Sequence, residues 1–434
     1  MRVDPIDCWR PTPTRAASFA SLPYDVFDRA QARAYVERHP DSFLAIDRPE
    51  TAFPPDHDMY AADVYAKAAE LLRARASDGT LLHDTAACYY LYRLEQDGHA
   101  QVGVVGACSI DEYEDGTILR HENTTAAKER DRIRHIEATG AQTGPILLTY
   151  HDDVAVDTLC DLAATGEPLY DFTDEEGVRQ TVWRIARPAA VEALRATFAT
   201  IPHAYIADGH HRAASAVRVG KRQRAEARAR GEGGPLPSDL FLAVLVPASQ
   251  LRVLPYNRVV ADACGLSTDE LTARIAAQGF VVDGPTESFR EPARTGQIAL
   301  YAGGRWHMLH APRGTDDPCD PVASLDTQVL QERVLGPILQ VRDPRTSSRI
   351  RFVGGIEGPG RLEGLAGTDG VAFWLHPTSV EQLMAVSDAG MLMPPKSTWF
   401  EPKLRSGLFI RGIREGRQPP ASSLLRVPHW TRCR

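Results

Sequence analysis

The sequence predicts an α+β fold, and three features carry that expectation. Residues 86–94 and 101–110 are rich in β-formers and flank Asp97-Gly98, a two-residue hairpin signal. Helical patterns recur between strand-like runs, at about 60–76 and 126–139. The third feature is Tyr205-Ile206-Ala207-Asp208-Gly209-His210-His211-Arg212-Ala213, where an apolar run, an Asp-Gly turn and a helical pattern follow one another without a gap.

Taken in order, residues 1–60 hold proline-bounded segments, among them Ser21-Leu22-Pro23-Tyr24-Asp25-Val26. The helix over 60–76 stops at Asp78-Gly79. Gly103 and Gly106 lie inside the second hairpin strand and do not open a helix, so they form no dinucleotide fingerprint. Ile118-Leu119-Arg120-His121-Glu122-Asn123-Thr124-Thr125 leads into the charged helix over 126–139. A strand over 144–150, a helix over 153–165, a strand over 178–186 and a helix over about 190–199 follow. The helix after Gly209 runs into a basic stretch, residues 221–230, which reads as a solvated helix end with cations at its negative pole rather than a nucleic-acid patch. Phe241 to Val246 reads as a buried strand, and a boundary is expected near 250–262. Strands and helices then extend to 385, including a strand over 305–309 that carries His307. A distinctive segment follows, Met393-Pro394-Pro395-Lys396-Ser397-Thr398-Trp399-Phe400-Glu401-Pro402-Lys403. The Arg- and Pro-rich tail from 414 is expected to be mobile.

A chain of 434 residues suggests about two or three domains. Its 43% apolar and 24% charged residues are ordinary for a soluble globular protein. A net charge of -8 argues against indiscriminate binding to nucleic acid, although it leaves room for a local basic pocket. No apolar run reaches the roughly 18 residues of a membrane helix and the N-terminus has no signal-peptide pattern, so a cytoplasmic protein without a membrane partner is expected. Seven scattered cysteines with no CxxC pair point to free thiols rather than a disulfide framework or zinc-thiolate cluster.

Two acid–imidazole clusters could carry chemistry, each at a strand end before a helix. Strand, Asp-Gly turn and helix start is the geometry that aims backbone N–H groups at an anion. His210, His211 and Arg212 add donors, metal ligands or proton carriers there; the competing reading is a polar turn. His121-Glu122 offers a general base or cation ligand, or a simple helix cap. In the third segment, Lys396-Ser397-Thr398 resembles the end of a P-loop but lacks its glycines. Prolines there hold the backbone extended, which either presents Lys396 and Lys403 to a shared anion or merely seats Trp399 and Phe400.

His121-Glu122, Arg132, Gly144-Pro145-Ile146 and Ala207-Asp208-Gly209-His210-His211-Arg212 resemble the hallmarks of a widespread bacterial and archaeal family, the domain of unknown function DUF1015. The resemblance spans almost the whole chain and includes Pro23-Tyr24-Asp25-Val26, Gly116-Thr117-Ile118, Met393-Pro394-Pro395-Lys396-Ser397-Thr398 and Pro402-Lys403. Two positions depart from the pattern: Leu22 stands in place of proline, and Asn257-Arg258 in place of His-Arg. The same order of motifs is similar to the free-serine kinases of the ParB/sulfiredoxin-like fold, with a longer insertion between the two main motifs here.

That resemblance implies a ParB-like catalytic core at about 85–255 within an N-terminal region spanning residues 1–255. Residues 256–434 would then form a C-terminal α/β region that contributes the Lys-rich loop. It implies that Glu122 matches the catalytic glutamate, with His121 and Asp208 beside it. Asp208 to Arg212 match the nucleotide-phosphate loop, with Gly209, His210, His211 and Arg212 on the cofactor side together with Lys396, Ser397, Thr398 and Lys403. Tyr24, Asp25, Arg132 and Arg258 fall on the substrate side, and Asp208 would position Mg²⁺ through the nucleotide. The expected function is a small-molecule kinase moving a phosphoryl group from ATP or ADP to free serine or a similar amino or hydroxy acid. A homodimer is compatible with it. Two other classes stay open: a hydrolase or lyase holding Zn²⁺ or Mn²⁺ on His121, Glu122, His210 and His211, and a non-catalytic nucleotide-binding regulator. All active-site readings require residues 118–122 and 205–212 to meet at one cleft.

Overall fold

The computed structural model describes residues 1–312 and 319–414; the tail beyond Arg414, expected to be mobile, lies outside the described residues. The dominant element is a mixed ten-stranded sheet drawn from the first 247 residues. Its strands are β1 (Val3–Asp4), β2 (Ile6–Pro11), β3 (Leu81–Gln96), β4 (His99–Ser109), β5 (Ile118–Leu119), β6 (Ile146–Tyr150), β7 (Tyr170–Thr173), β8 (Arg179–Ile185), β9 (Ala204–Asp208) and β10 (Leu240–Pro247). The order across the sheet is β5-β9-β6-β10-β4-β3-β8-β7, with β1 added on β4 and β2 on β3. The β3–β4 hairpin turns at Asp97-Gly98, whose φ values of 53° and 77° are the left-handed pair such a turn requires.

Successive residues of the central strands enter two separate cores, as the pleat dictates. Leu147, Tyr205, Ala207, Leu242 and Val244 share one cluster, while Ile146, Leu148, Ile206, Ala243 and Leu245 share the other. Both faces are apolar, so both need a cover. The second face is covered by helices Val154–Ala164, Pro188–Thr200 and His210–Ala229, through Val156, Leu194, Phe198, Ala213 and Val217. The first is covered by residues from much later in the chain, among them Leu383, Met393, Phe400, Leu404 and Phe409.

A second sheet of six antiparallel strands is built from residues 256–375, starting with strand Tyr256–Val260. After it the chain returns to the first sheet. Trp9 pairs with Ile410, Ser21 with Ser406, and strand Arg411–Gly412 with Ala141–Gln142. The helices at 62–77, 126–139, 154–164 and 188–200 and the strands at 146–150 and 179–185 follow the sequence pattern. The basic helix end is neutralised within the chain: Lys221 pairs with Glu114, Arg222 with Glu137, Arg224 with Asp111 and Asp239, and Arg230 with Glu232. Among the described residues no helix is long and apolar enough to cross a membrane.

One half-hidden ion pair ties β2 to β3. Arg10 donates to both oxygens of Asp84 at 2.6 and 3.0 Å, and the Tyr90 hydroxyl donates to the same carboxylate at 2.7 Å. Burial pulls the Asp84 carboxyl upward, but the hydrogen bonds from Arg10 and Tyr90 outweigh it and hold the group below its ordinary value. Because the folded value lies below the unfolded one of about 3.9, the pair contributes stability above about pH 4, and that contribution is lost as the pH falls through the folded value. We expect Asp84→Asn to cost about 1.5–3 kcal/mol near neutrality, the usual worth of hydrogen bonds to a charged group. In urea melts the gap to the parent should close below about pH 4; a gap that does not change with pH would rule out this role for the pair.

Candidate active site

The two sequence clusters meet because of one pairing. Strand β5 lies parallel to β9, with Ile118 opposite Ala204 and Leu119 opposite Tyr205. Parallel neighbours end on the same edge, so His121-Glu122 and Asp208 to His211 leave the sheet side by side. Strand β6 runs antiparallel to β9, which brings its start, Gly144-Pro145, to that edge too. The β6–β9 register shifts between Ile206 and Asp208, a bulge that changes the direction in which Asp208 leaves the strand.

Gly209 makes the turn from strand to helix. Its φ is 97°, and a Cβ there would stand 3.0 Å from Arg212 Nε. The helix His210–Ala229 has no side-chain cap, which leaves its first N–H groups available to a ligand. Arg212 closes the turn by donating to the Pro145 carbonyl and pairing with Asp208 at 3.2 Å. Helix Ala126–Thr139 also starts without a side-chain cap, and the Thr125 N–H donates to His211 Nε2 at 3.0 Å.

His121 and His210 are buried edge to face, with ring centroids 4.5 Å apart. Burial depresses both imidazoles to about 3, helped for His121 by the neighbouring His210. Both rings are therefore neutral near pH 7. His121 Nδ1 and His210 Nε2 are enclosed and lack a hydrogen-bond partner. Ligand atoms of His121, Glu122 and His210 all lie within 4.8 Å of one another, close enough to surround a cation.

The Pro-rich segment forms the opposite wall. Met393 N–H donates to the His121 carbonyl at 2.8 Å, and Thr398 Oγ1 lies 3.4 Å from His121 Nε2. Lys396 has a left-handed backbone (φ 61°) and sets its ammonium over the Tyr256 ring at 5.4 Å. Burial works against that charge, but Tyr256, Glu122 and Asp25 outweigh it and keep Lys396 firmly protonated. Lys403 Nζ rests over Trp399 and 3.9 Å from Asp208. Burial would raise the Asp208 carboxyl, but Lys403 and Arg212 hold it well below the usual range.

Other expected residues have different positions. Ser397 is buried, its hydroxyl bonded to Thr327 and the Pro394 carbonyl, so it shapes the loop from inside. Arg132 is committed to Asp131 at 2.7 Å and stacks over Tyr24 at 3.9 Å. Asp25 is exposed at the rim of a cavity of about 180 Å³ lined also by Tyr24, Tyr65 and Lys128. Arg258 is buried over Phe352 and donates to the Tyr256 and Pro395 carbonyls, with no carboxylate in ion-pair range among the described residues. Its neighbour Asn257 is fully buried and accepts from Leu375 N–H at 3.1 Å, a packing role within the second sheet. Lys128 is a site residue that sequence reasoning missed. Partial burial and the Lys396 ammonium lower its own ammonium, and Asp25 and Glu122 face it. Its signal was its place in the first turn of the helix after His121-Glu122.

The turn at Gly209 is a direct test of this geometry. Gly209→Ala should cost about 1–3 kcal/mol, from a left-handed backbone and a Cβ pressed against Arg212. Denaturant unfolding measures this, and an unchanged midpoint would contradict the turn described.

Among solved structures, a free serine kinase variant in complex with ADP is similar at a TM-score of 0.36 and 14% identity, over 72% of this chain and 92% of that one. SbnI with a C-terminal truncation, from Staphylococcus aureus, gives 0.36 and 15% over 71% and 87%. A conserved hypothetical protein from Pyrococcus furiosus gives 0.34 and 15% over 71% and 95%. No curated protein matches the chain by sequence. The family model described as protein of unknown function, DUF1015, matches residues 3–328, and the chain belongs to that family.

Proposed function

We propose that the chain is a phosphotransferase, moving a phosphoryl group from ATP or ADP to the hydroxyl of free serine or a similar amino or hydroxy acid. One observation carries the reading. A carboxylate, Glu122, shares a strand edge with the uncapped start of the His210–Ala229 helix, and the ammonium groups of Lys396 and Lys403 close over that edge. Phosphoryl transfer asks mainly for neutralised phosphate charge and an aligned hydroxyl, and these groups supply both.

In this reading the N–H groups of His210, His211 and Arg212 hold phosphate oxygens, as free helix starts do. Lys396 and Lys403 neutralise the charge that moves during transfer. Glu122 takes the hydroxyl proton. Arg258, buried without a carboxylate partner among the described residues, suits the substrate carboxylate. Asp208 fits a hard cation: its contacts with Arg212 and Lys403 run through one oxygen, Oδ2, and a carboxylate has a second oxygen to offer. Held there with the nucleotide, Mg²⁺ would spread the phosphate charge. Thr398 faces His121 from the Pro-rich wall, Ser397 fixes that loop from inside, and Arg132 stacks over Tyr24. The same proposal takes residues 85–255 as a ParB/sulfiredoxin-like catalytic core and 256–434 as a region that lends it the Lys396 loop.

A nucleotide-consumption screen against amino and hydroxy acids tests the activity, with a new phosphoester as the expected product. Glu122→Gln should retain nucleotide binding and lose roughly 10²–10⁴ in turnover, the usual worth of a positioned base. Wild-type turnover on a verified substrate would sink that role. Lys396→Met and Lys403→Met should each weaken nucleotide binding by about 1.5–3 kcal/mol, the value of a charged hydrogen bond. Unchanged affinity in both, measured by calorimetry, would remove the lysines from the phosphate site.

A further inference from the structure

We infer that His121, Glu122 and His210 form a binding site for a divalent transition metal, separate from any Mg²⁺ carried by a nucleotide. Two independent observations meet at this point. The ligand atoms of the three residues lie within 4.8 Å of one another. An ion with nitrogen and oxygen ligands at about 2.0–2.2 Å sets them roughly 3.4 Å apart, so a closure of up to about 1.4 Å completes the site. Also, His121 Nδ1 and His210 Nε2 are enclosed and lack hydrogen-bond partners. Buried polar atoms in folded proteins are mostly hydrogen-bonded, and a bound water or ion is one reason for an exception; here two such atoms belong to adjoining rings of the same three-residue cluster.

The chemistry of the set fits. Imidazole nitrogen is among the commonest ligands of such ions, and two of the three donors here are imidazoles. The Thr398 hydroxyl, 3.4 Å from His121 Nε2, is placed as the outer partner that orients a ligating ring and leaves Nδ1 for the metal. Two histidines and one carboxylate fill three positions of a zinc-class ion and leave at least one open, the pattern of a reactive rather than a structural site. His210 is itself the first residue of a helix without a side-chain cap, and an anionic oxygen or a water would complete the shell. A carboxylate that ligates through one oxygen keeps the other for a proton, so Glu122 can serve both this site and the transfer step. The inference does not depend on which group is transferred.

The test uses the full-length protein. After purification without chelator, elemental analysis should find zinc, manganese or iron in stoichiometric amount. Chelator-treated protein titrated with Co²⁺ alone should develop the intense visible bands of a low-coordinate nitrogen–oxygen site, displaced by Zn²⁺. His210→Gln and His121→Gln should each weaken Co²⁺ binding by more than the ~10–100-fold that loss of an outer partner costs, and Thr398→Val should fall within that range. Because the imidazoles are buried, Glu122→Gln provides a ligand variant on a half-exposed residue should the histidine variants fail to fold. Metal-free protein that gives no Co²⁺ spectrum, or folded ligand variants with unchanged Co²⁺ affinity, would overturn the site. Neither result bears on nucleotide consumption, so the kinase reading stands or falls on its own assay.

Discussion

The parallel pairing of β5 with β9 holds the whole site together. It is short, only two residue pairs, yet it decides that His121-Glu122 and Asp208 to His211 emerge at the same edge. Slipping either strand by one residue would exchange its faces, moving Ile118 or Tyr205 out of its core cluster. The chemistry is thus held in register by the hydrophobic cores on either side of the sheet. The bulge at Ala207 and the left-handed Gly209 then set the direction of the first turn of the long helix.

A second requirement is the need to cover an apolar face. None of the helices between residues 62 and 229 contributes to the cluster of Leu147, Tyr205, Leu242 and Val244, and the chain supplies Met393, Phe400, Leu404, Leu408 and Phe409 instead. Packing these side chains carries Lys396 and Lys403 to the strand edge. The segment that covers the core is therefore the segment that places the lysines. Lys396 and Lys403 bring positive charge to this edge, where the His121 and His210 imidazoles are too buried to hold a proton and Asp208 keeps its negative charge.

The sequence pattern was most legible where local rules act alone. Asp97-Gly98 sits at the tip of its hairpin, and the helices over 126–139 and 154–164 fall where their periodicity puts them. The meeting of the two acid–imidazole clusters was expected from their place at strand ends before helices together with the family resemblance. Other features depend on distant partners that local patterns do not encode. A strand of two residues such as β1 carries no periodicity. Ser397 turned inward because Thr327 and Thr378 bond it from another stretch of the chain. Arg132 turned to Asp131 and Tyr24, and Lys128 took the open position on the same helix.

The shared cleft is tested most simply by the position of a bound nucleotide. In crystals grown with a non-hydrolysable ATP analogue, the terminal phosphate oxygens should lie about 2.7–2.9 Å from the first N–H groups of the His210–Ala229 helix and from Lys396 or Lys403. Glu122 should stand within one substrate of them. A nucleotide seated elsewhere, with its terminal phosphate more than about 15 Å from Glu122, would separate the two clusters functionally and refute a single site, since reacting atoms must approach to roughly 3–3.5 Å.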